Sequence, residues 1–156
     1  MPKQFSISVL GEQQLARTFS RFADAVEDYR PAWPDVQTVM EHIEELQFSS
    51  QGAHGSGGWA ALNPRYAGYK AARYGVKPIL QRTGELKASL TENTGKSVRE
   101  MRPLEFQYGT RVPYAGFHQS GTNRMPRRKL IDLTEADKRD ITRSIQRYLV
   151  SVVRRA

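Results

Sequence analysis

Apolar residues in the first part of the chain recur with two different periods. Phe5, Ile7 and Val9 occupy alternate positions, which predicts a short strand that ends at Gly11. The apolar residues that follow are three or four positions apart, which is the spacing of one helix face. This spacing predicts an amphipathic helix over residues 12–29. Its apolar stripe consists of Leu15, Phe19, Phe22, Val26 and Tyr29.

A proline-rich bend separates this helix from a second one. Pro31 ends the first helix, because proline lacks an amide donor and clashes with the preceding turn. Trp33 and Pro34 then open the second helix, since proline is tolerated in a first turn. The apolar stripe of the second helix consists of Val36, Val39, Met40, Ile43 and Leu46.

Residues 49–58 form the clearest loop of the sequence. They contain four glycines and three serines, a composition that disfavours a helix or a central strand. The segment lacks the spacing of a phosphate-binding P-loop, so we interpret it as a flexible connector. Because neither flanking part has a complete pattern, we predict a single domain over residues 1–156. Its parts are a helical region (1–48), the loop (49–58) and the remainder (58–156).

Short helices and strands alternate in the second half of the chain. Residues 63–75 predict a helix between an Asn-Pro start and a glycine end. Residues 80–90 predict an entry turn and a short helix with two leucines on one face. A turn at residues 93–96 precedes a two-strand hairpin over residues 98–108, where apolar and polar residues alternate.

The C-terminal third predicts one more strand and a long helix. Residues 129–133 suggest a short strand, and Thr134 can cap a helix that carries acids in its first turn and arginines at its end. The whole pattern predicts an α+β fold. It consists of a small, mainly antiparallel sheet and about four helices, with long amphipathic helices near both ends.

The net charge of the chain indicates which class of partner it would bind. The formal net charge is +8, and residues 124–156 contain ten Lys/Arg against four Asp/Glu. Such a field favours acidic partners, either nucleic acid or an acidic protein surface. A solvated helix face is the alternative interpretation of the same charges.

Cysteine content and apolar run length exclude further classes. With no cysteine, the chain has no disulfide, thiolate zinc site or cysteine nucleophile, which fits a reducing cytoplasm. The first residues lack the apolar core of a signal peptide, and no apolar run approaches the ~18 residues of a membrane span. We therefore expect a soluble protein without a membrane contact.

The histidines are the first candidates for catalysis or metal binding. His42 lies in a helix without an H-E-x-x-H pattern, and His54 stands isolated in the loop. His118 lacks a nucleophile elbow and a nearby acid, so we interpret it as a structural or interface residue. A hydrolase that uses His118 remains a third hypothesis. We predict no catalytic site, no metal site and no cofactor.

Two other polar clusters have structural interpretations. The pairs Glu44-Glu45 and Asp137/Asp140 fall on helix faces that the pattern predicts to be exposed. Tyrosines interleave with basic residues over residues 65–74, as they do in proteins that stack bases and hold phosphates. The favoured interpretation is a helix with tyrosines packed on the sheet and basic side chains in water. These residues are Tyr66, Tyr69 and Tyr74 with Arg65, Lys70 and Arg73.

The densest concentration of chemistry lies in residues 112–122 (V-P-Y-A-G-F-H-Q-S-G-T) and 125–130 (M-P-R-R-K-L). Aromatic residues and arginine are enriched at protein interfaces, so we expect an assembly interface with the arginines at its rim. Its residues are Tyr114, Phe117, His118, Gln119, Arg127 and Arg128. The residues expected to shape turns are Gly84, Pro113, Gly116, Gly121 and Pro126.

Four segments, in order, resemble the phage virion-morphogenesis (tail-completion) family, which includes proteins of Mu-like phages. Residues 58–63 resemble its W-x-x-L segment, and residues 79–90 resemble L-x-x-T-G-x-L-x-x-S. Residues 113–121 resemble P-Y-A-x-x-H-Q-x-G. Residues 125–130 resemble P-x-R-x-F-L, with Lys129 where the family often has an aromatic residue.

This resemblance implies a structural protein of tail completion or head–tail joining, of the neck or tail-terminator type, without catalysis. The implied partners are other tail, neck or connector proteins, together with copies of the chain in a homo-oligomer such as a ring. The implied location is the virion, after assembly in the host cytoplasm. The alternative is a basic structural protein that binds nucleic acid through the C-terminal helix. Contact with DNA is compatible with the first hypothesis but not required by it.

Overall fold

A computed structural model describes residues 12–55 and 57–155. In chain order, the elements are α1 (Glu12–Glu27), α2 (Trp33–Ser49), α3 (Pro64–Tyr74), α4 (Glu85–Thr91), β1 (Ser97–Met101), β2 (Phe106–Thr110), α5 (Ala115–Ser120) and α6 (Glu135–Arg154). The predicted α+β class is confirmed. The described residues form six helices rather than about four. The short helix α4 was predicted, whereas α5 lies in a segment for which no helix was predicted. The strand predicted over residues 5–10 lies outside the described residues.

Local sequence signals set the ends of the helices. Pro34 lies in the first turn of α2, where its missing amide costs little. The side chain of Asn63 accepts a hydrogen bond from the amide of Arg65 at the start of α3, and Gly75 ends that helix with φ of 79°. Thr134 and Asp137 form a reciprocal capping box at the start of α6.

The two strands form the predicted antiparallel hairpin. Val98 pairs with Gly109 and Arg99 with Tyr108. The amide of Arg102 donates to the carbonyl of Glu105 over 2.8 Å and closes the turn. Arg99 lies over the ring of Tyr108, with 3.8 Å between the guanidinium carbon and the ring centroid.

Two apolar clusters fill the interior of the described part of the chain. The first contains Phe48, Trp59, Leu86, Leu90, Val112, Ala115 and Leu130, and the second contains Trp33, Val36, Met40 and Ile43. Ile141 and Ile145 of α6 pack against the second cluster. Tyr108 and Ile131 pack against both, so the clusters meet at β2 and at the segment before α6.

The strand predicted over residues 129–133 is wrong, because the segment is irregular. Its backbone groups bond to side chains instead of a neighbouring strand. Gln119 Oε1 accepts from the amides of Leu130 and Ile131, over 2.7 and 3.1 Å. Trp59 Nε1 donates to the carbonyl of Lys129 over 2.7 Å. Leu130 is buried in the first cluster, so the apolar pattern reports burial and not strand geometry.

The interpretation of residues 49–58 as a flexible connector is also wrong for the described part of that loop. The amide of Gly52 donates to the carbonyl of Gln47 over 2.8 Å, and the amide of Trp59 donates to the carbonyl of Gln51 over 2.7 Å. His54, expected to be isolated, lies 2.9 Å from Asp137 between Nε2 and Oδ2. These hydrogen bonds and the contact between His54 and Asp137 hold the loop against α2 and the start of α6.

One member of each carboxylate pair contradicts the prediction of exposed faces. Glu44 is fully buried and Asp137 is 5% exposed, whereas Glu45 and Asp140 are exposed. Asp137 is buried because it completes the capping box and contacts His54. Glu44 lies on the buried side of α2, and helices α4 and α6 are the helices that pack against α2.

Candidate functional site

Residues 112–121 contain the short helix α5. A turn at Pro113 precedes this helix, and Gly121, which has a positive φ, ends it. Val112 is buried, Pro113 and Tyr114 make a turn, and α5 follows. Gly121 ends α5 with φ of 76°. An added Cβ at Gly121 would lie 3.0 Å from the amide nitrogen of Arg127, so this position favours glycine. The prediction of a turn at Gly116 is wrong, because Gly116 lies inside α5.

The six residues expected at an assembly interface divide into exposed and internal groups. Phe117 is 57% exposed and Tyr114 is 36% exposed, and they lie three positions apart on one side of the α5 region. Arg127 is also exposed, and its Nε donates to the carbonyl of Gln119 over 3.0 Å. These three side chains are available to a partner.

Gln119 and Arg128 have internal roles instead. Besides accepting two amide bonds, Gln119 donates from Nε2 to the carbonyl of Ile131 over 2.9 Å. Arg128 is 4% exposed and donates to the carbonyls of Ala60 and Ala61. The expectation that Arg128 lies at an exposed rim is therefore wrong. Both side chains hold the irregular segments of the chain together.

A groove of about 490 Å³ lies where the four motif segments meet. Leu62 comes from the W-x-x-L segment, Leu86 from the T-G-x-L segment, Tyr114 from the segment around α5, and Met125 and Pro126 from the last motif. Gly84 lies in the wall with φ of 87° and begins α4. Segments that are distant in sequence thus form one surface.

Cationic side chains line the same groove. They are Lys70, Arg82, Arg124 and Arg128. Lys70 is 3% exposed, and its Nζ donates to the carbonyls of Lys77 and Pro78 over 3.1 and 2.5 Å. Burial, with Lys77 and Arg82 nearby, lowers the pKa of Lys70. In the described part of the chain, no aspartate or glutamate lines the groove.

The tyrosines of α3 lie opposite to the expected orientation. Tyr66 and Tyr69 are 40% and 53% exposed, while Lys70, the basic residue that follows Tyr69, is buried. The ring centroids of Tyr69 and Tyr74 are 6.4 Å apart, and Arg82 lies over the ring of Tyr74. The interpretation with packed tyrosines and solvated basic side chains is therefore wrong at Tyr66, Tyr69 and Lys70.

His118 lines the groove between Tyr114 and Arg128. Its ring meets the ring of Tyr114 edge-on, with 6.1 Å between centroids. Burial and the nearby Arg128 lower the pKa of His118 and favour the neutral imidazole. Its Nδ1 atom is buried without a hydrogen-bond partner among the described residues. The groove lining supplies no carboxylate that would orient this ring as a general base.

The pair of His54 and Asp137 is a contact that sequence reasoning missed. The two residues are 83 positions apart, and their spacing carries no motif. Asp137 also accepts from the amide and hydroxyl of Thr134. Although burial opposes ionisation, the hydrogen bonds from Thr134 and His54 outweigh it and lower the pKa of Asp137.

The described residues contain no cluster of three or more His, Asp or Glu side chains placed to hold a metal ion. Among the described helices, none combines the length and the apolar character required to cross a bilayer. The site consists of an apolar groove, the cations in its lining and the exposed aromatic residues Tyr114 and Phe117.

Comparison with known proteins agrees with the motif pattern. The sequence model of the phage virion morphogenesis family matches residues 10–150, which is most of the chain. Comparisons with curated proteins and with solved structures gave no match. The matched range includes all four motif segments that form the groove. The chain therefore belongs to the phage virion morphogenesis family.

Proposed function

We propose that the protein acts in tail completion or head–tail joining, by assembly with other tail, neck or connector proteins. Membership of the family assigns a structural role in phage morphogenesis. The observation that supports the finer proposal is the convergence of the four motif segments on one groove. A surface built jointly by distant segments suits recognition of another protein.

The exposed side chains of the α5 region have the composition of an interface. Tyr114 lines the groove, and Phe117 and Arg127 are exposed outside its lining, where Arg127 donates to the carbonyl of Gln119. Aromatic anchors and arginine supply much of the binding energy of protein interfaces. In this proposal, these residues bind the neighbouring component, and Gln119 and Arg128 hold the surface in shape.

The proposal includes assembly of several copies, with a ring as the expected form. A head-to-tail contact between identical chains closes into a ring when the rotation between subunits fits. Incorporation into the virion at the tail or the head–tail joint would follow assembly in the host cytoplasm. Mass measurement of the purified protein and of the particle tests both points.

Complementation of a phage that lacks the gene tests the proposed site. We expect Phe117→Ala and Tyr114→Ala to reduce titre and to leave heads and tails unjoined in electron micrographs, because truncation of an anchor costs about 2 kcal/mol of binding. Leu104→Ala is the matched control, since Leu104 is 68% exposed at the hairpin turn away from the groove. Normal joining by folded Phe117 and Tyr114 variants would disprove the site assignment.

A second candidate function is nucleic-acid binding by α6, and one observation favours it. The end of α6 exposes a surface lined by Arg143, Arg147, Arg154 and Arg155, with no acidic side chain in the lining. Phosphate contact predicts a binding constant for duplex DNA that falls steeply as salt rises. Arg147→Gln combined with Arg154→Gln should then flatten this salt dependence. Absence of binding at about 50 mM salt would eliminate this candidate.

A further inference from the structure

Two buried cations in the groove lack an acidic partner. Lys70 and Arg128 are 3% and 4% exposed, and in the described part of the chain neither forms an ion pair. Each donates two hydrogen bonds to backbone carbonyls. A guanidinium has five N–H groups, so these two bonds leave donors of Arg128 without a protein partner among the described residues. Burial of a charge without a counter-charge is costly.

The groove offers further polar groups at its surface. Arg82 and Arg124 are exposed and line the groove, so they extend the positive field to its mouth. The Nδ1 atom of His118 is buried and has no partner among the described residues. Burial, together with the charge of Glu85 from outside the lining, raises the pKa of Tyr114. The lining itself contains no acid, so it presents several donors and no counter-ion.

The rest of the groove is apolar. Leu62, Leu80, Leu86 and Met125 contribute to its walls. Its volume of about 490 Å³ lies in the range of pockets that hold small ligands or a few side chains. An occupant that satisfies both surfaces needs an anionic group and a bulky apolar group close together.

We infer that this groove binds a short acidic segment of another virion protein, in which a carboxylate side chain adjoins an aliphatic or aromatic one. The carboxylate would pair with the cations of the lining, and the apolar side chain would pack against its leucine and methionine walls. This inference rests on the proposed assembly function and names the chemistry of its partner. A nucleic-acid backbone carries the charge but lacks the apolar side chain that the walls require.

The partner is a different chain rather than a second copy of this one. The occupant of a positively charged groove should be acidic, whereas a second copy of this chain carries a net charge of +8. Two exposed pairs of the required kind in the described part of this chain, Leu104 with Glu105 and Leu46 with Glu45, already have paired carboxylates. Glu105 pairs with Arg102 over 3.2 Å, and Glu45 pairs with Lys87 over 3.1 Å. An acidic partner has the complementary charge, which speeds encounter and selects the partner.

Selection from a random dodecapeptide library against the purified full chain tests the inference. We expect the selected peptides to share Asp or Glu next to Leu, Ile, Phe or Trp. Their affinity, measured by fluorescence anisotropy, should fall about tenfold or more in Arg124→Glu and recover in Arg124→Lys. Arg17→Glu is the matched control, because Arg17 is an exposed arginine of α1 outside the groove lining, and its affinity should stay within about twofold.

Several outcomes would overturn the inference. They are failure to enrich any peptide, selected peptides without acids, and binding that Arg124→Glu and Arg17→Glu weaken equally. Equal competition by inorganic phosphate or a duplex oligonucleotide would show a phosphate site instead. Loss of a homo-oligomer in Arg124→Glu, seen by mass measurement, would show that a second copy occupies the groove.

The same design separates this inference from the proposed function. Peptide binding that depends on Arg124, together with normal head–tail joining by Arg124→Glu phage, would leave the groove chemistry standing and contradict a role of the groove in joining. The reverse result, failed joining without any acidic peptide preference, would retain the function and reject the partner chemistry.

Discussion

At the scale of single residues, Glu44 occupies an electrostatically unfavourable position. Both of its carboxylate oxygens are buried without a hydrogen-bond partner among the described residues. Arg99, whose charge acts on Glu44, donates to the carbonyls of Val98, Gly109 and Leu90. Burial therefore dominates over this cation and raises the pKa of Glu44 to about 8.

Glu44→Gln should change the pH dependence of stability. Between about pH 4.5 and 8, the unfolded chain ionises Glu44 while the folded chain keeps it protonated, so the free energy of unfolding falls as pH rises. At about 1.4 kcal/mol per pKa unit, the full loss is roughly 3–5 kcal/mol, complete above pH 8. The Gln variant lacks this loss, so it should gain stability relative to the wild type as pH rises.

Urea unfolding at about pH 5, 7 and 9 measures this difference. Glu45→Gln is the control, because Glu45 is the exposed neighbour of Glu44 and pairs only at the surface with Lys87. A constant offset between wild type and Glu44→Gln at all three pH values would show that Glu44 is ionised in the folded protein.

Gln119 is a second residue whose structural role could not be predicted from the sequence. Its amide makes three hydrogen bonds to the backbone of Leu130 and Ile131. Gln119→Ala should lower the free energy of unfolding by about 2–3 kcal/mol, because each lost bond leaves a partly buried backbone group without its partner. Gln146→Ala, at an exposed position of α6, should have an effect within about 0.5 kcal/mol. Equal urea midpoints for the two variants would contradict this role.

At the scale of elements, α5 provides a direct test through its two glycines. Gly116 lies inside the helix with open space around an added Cβ, so Gly116→Ala should stabilise the protein by about 0.5–1 kcal/mol. Gly121 has φ of 76° and little space beside Arg127, so Gly121→Ala should destabilise it by about 1–3 kcal/mol. Thermal unfolding of the two variants should therefore shift in opposite directions. A loss of stability in both would mean that residue 116 occupies a turn after all.

Elements with a long periodic pattern were predictable from the sequence. Helices α1, α2 and α6 follow apolar stripes, and the hairpin follows alternation, so their spacing alone indicates their type. The short helix α5 was not predictable, since its six residues lie between a proline and a glycine and contain less than two helical turns. The segment 129–133 has the apolar pattern of a strand but obtains its backbone partners from Gln119, which no local pattern reveals.

The sequence predicted which segments carry the candidate site but not how their residues are arranged. Of the residues proposed for the interface, Tyr114 and Phe117 are exposed. Burial of Lys70 and Arg128 was not predictable, because charged residues in a basic helix or loop are normally solvated. Their burial depends on carbonyl groups that tertiary folding brings near them.

At the scale of the whole molecule, the two apolar clusters divide the interior between different elements. Trp33 belongs to the cluster between α2 and α6, and Trp59 belongs to the cluster around α4. Both clusters contact Tyr108 and Ile131, so disruption of one exposes side chains that support the other. We therefore expect one cooperative folding unit, as the prediction of a single domain requires.

The two tryptophans allow this expectation to be measured in a single sample. The chain contains only Trp33 and Trp59, so 5-fluorotryptophan labelling gives one fluorine resonance for each cluster. Both resonances should lose their folded signal at the same urea midpoint.

Met40→Ala removes a side chain that is 7% exposed in the Trp33 cluster, and it should lower the free energy of unfolding by about 2–5 kcal/mol. Because folding is shared, the midpoint at Trp59 should fall as far as the midpoint at Trp33. A midpoint at Trp59 that stays about 1 M above that of Trp33, equivalent to 1–3 kcal/mol, would show that the clusters unfold separately.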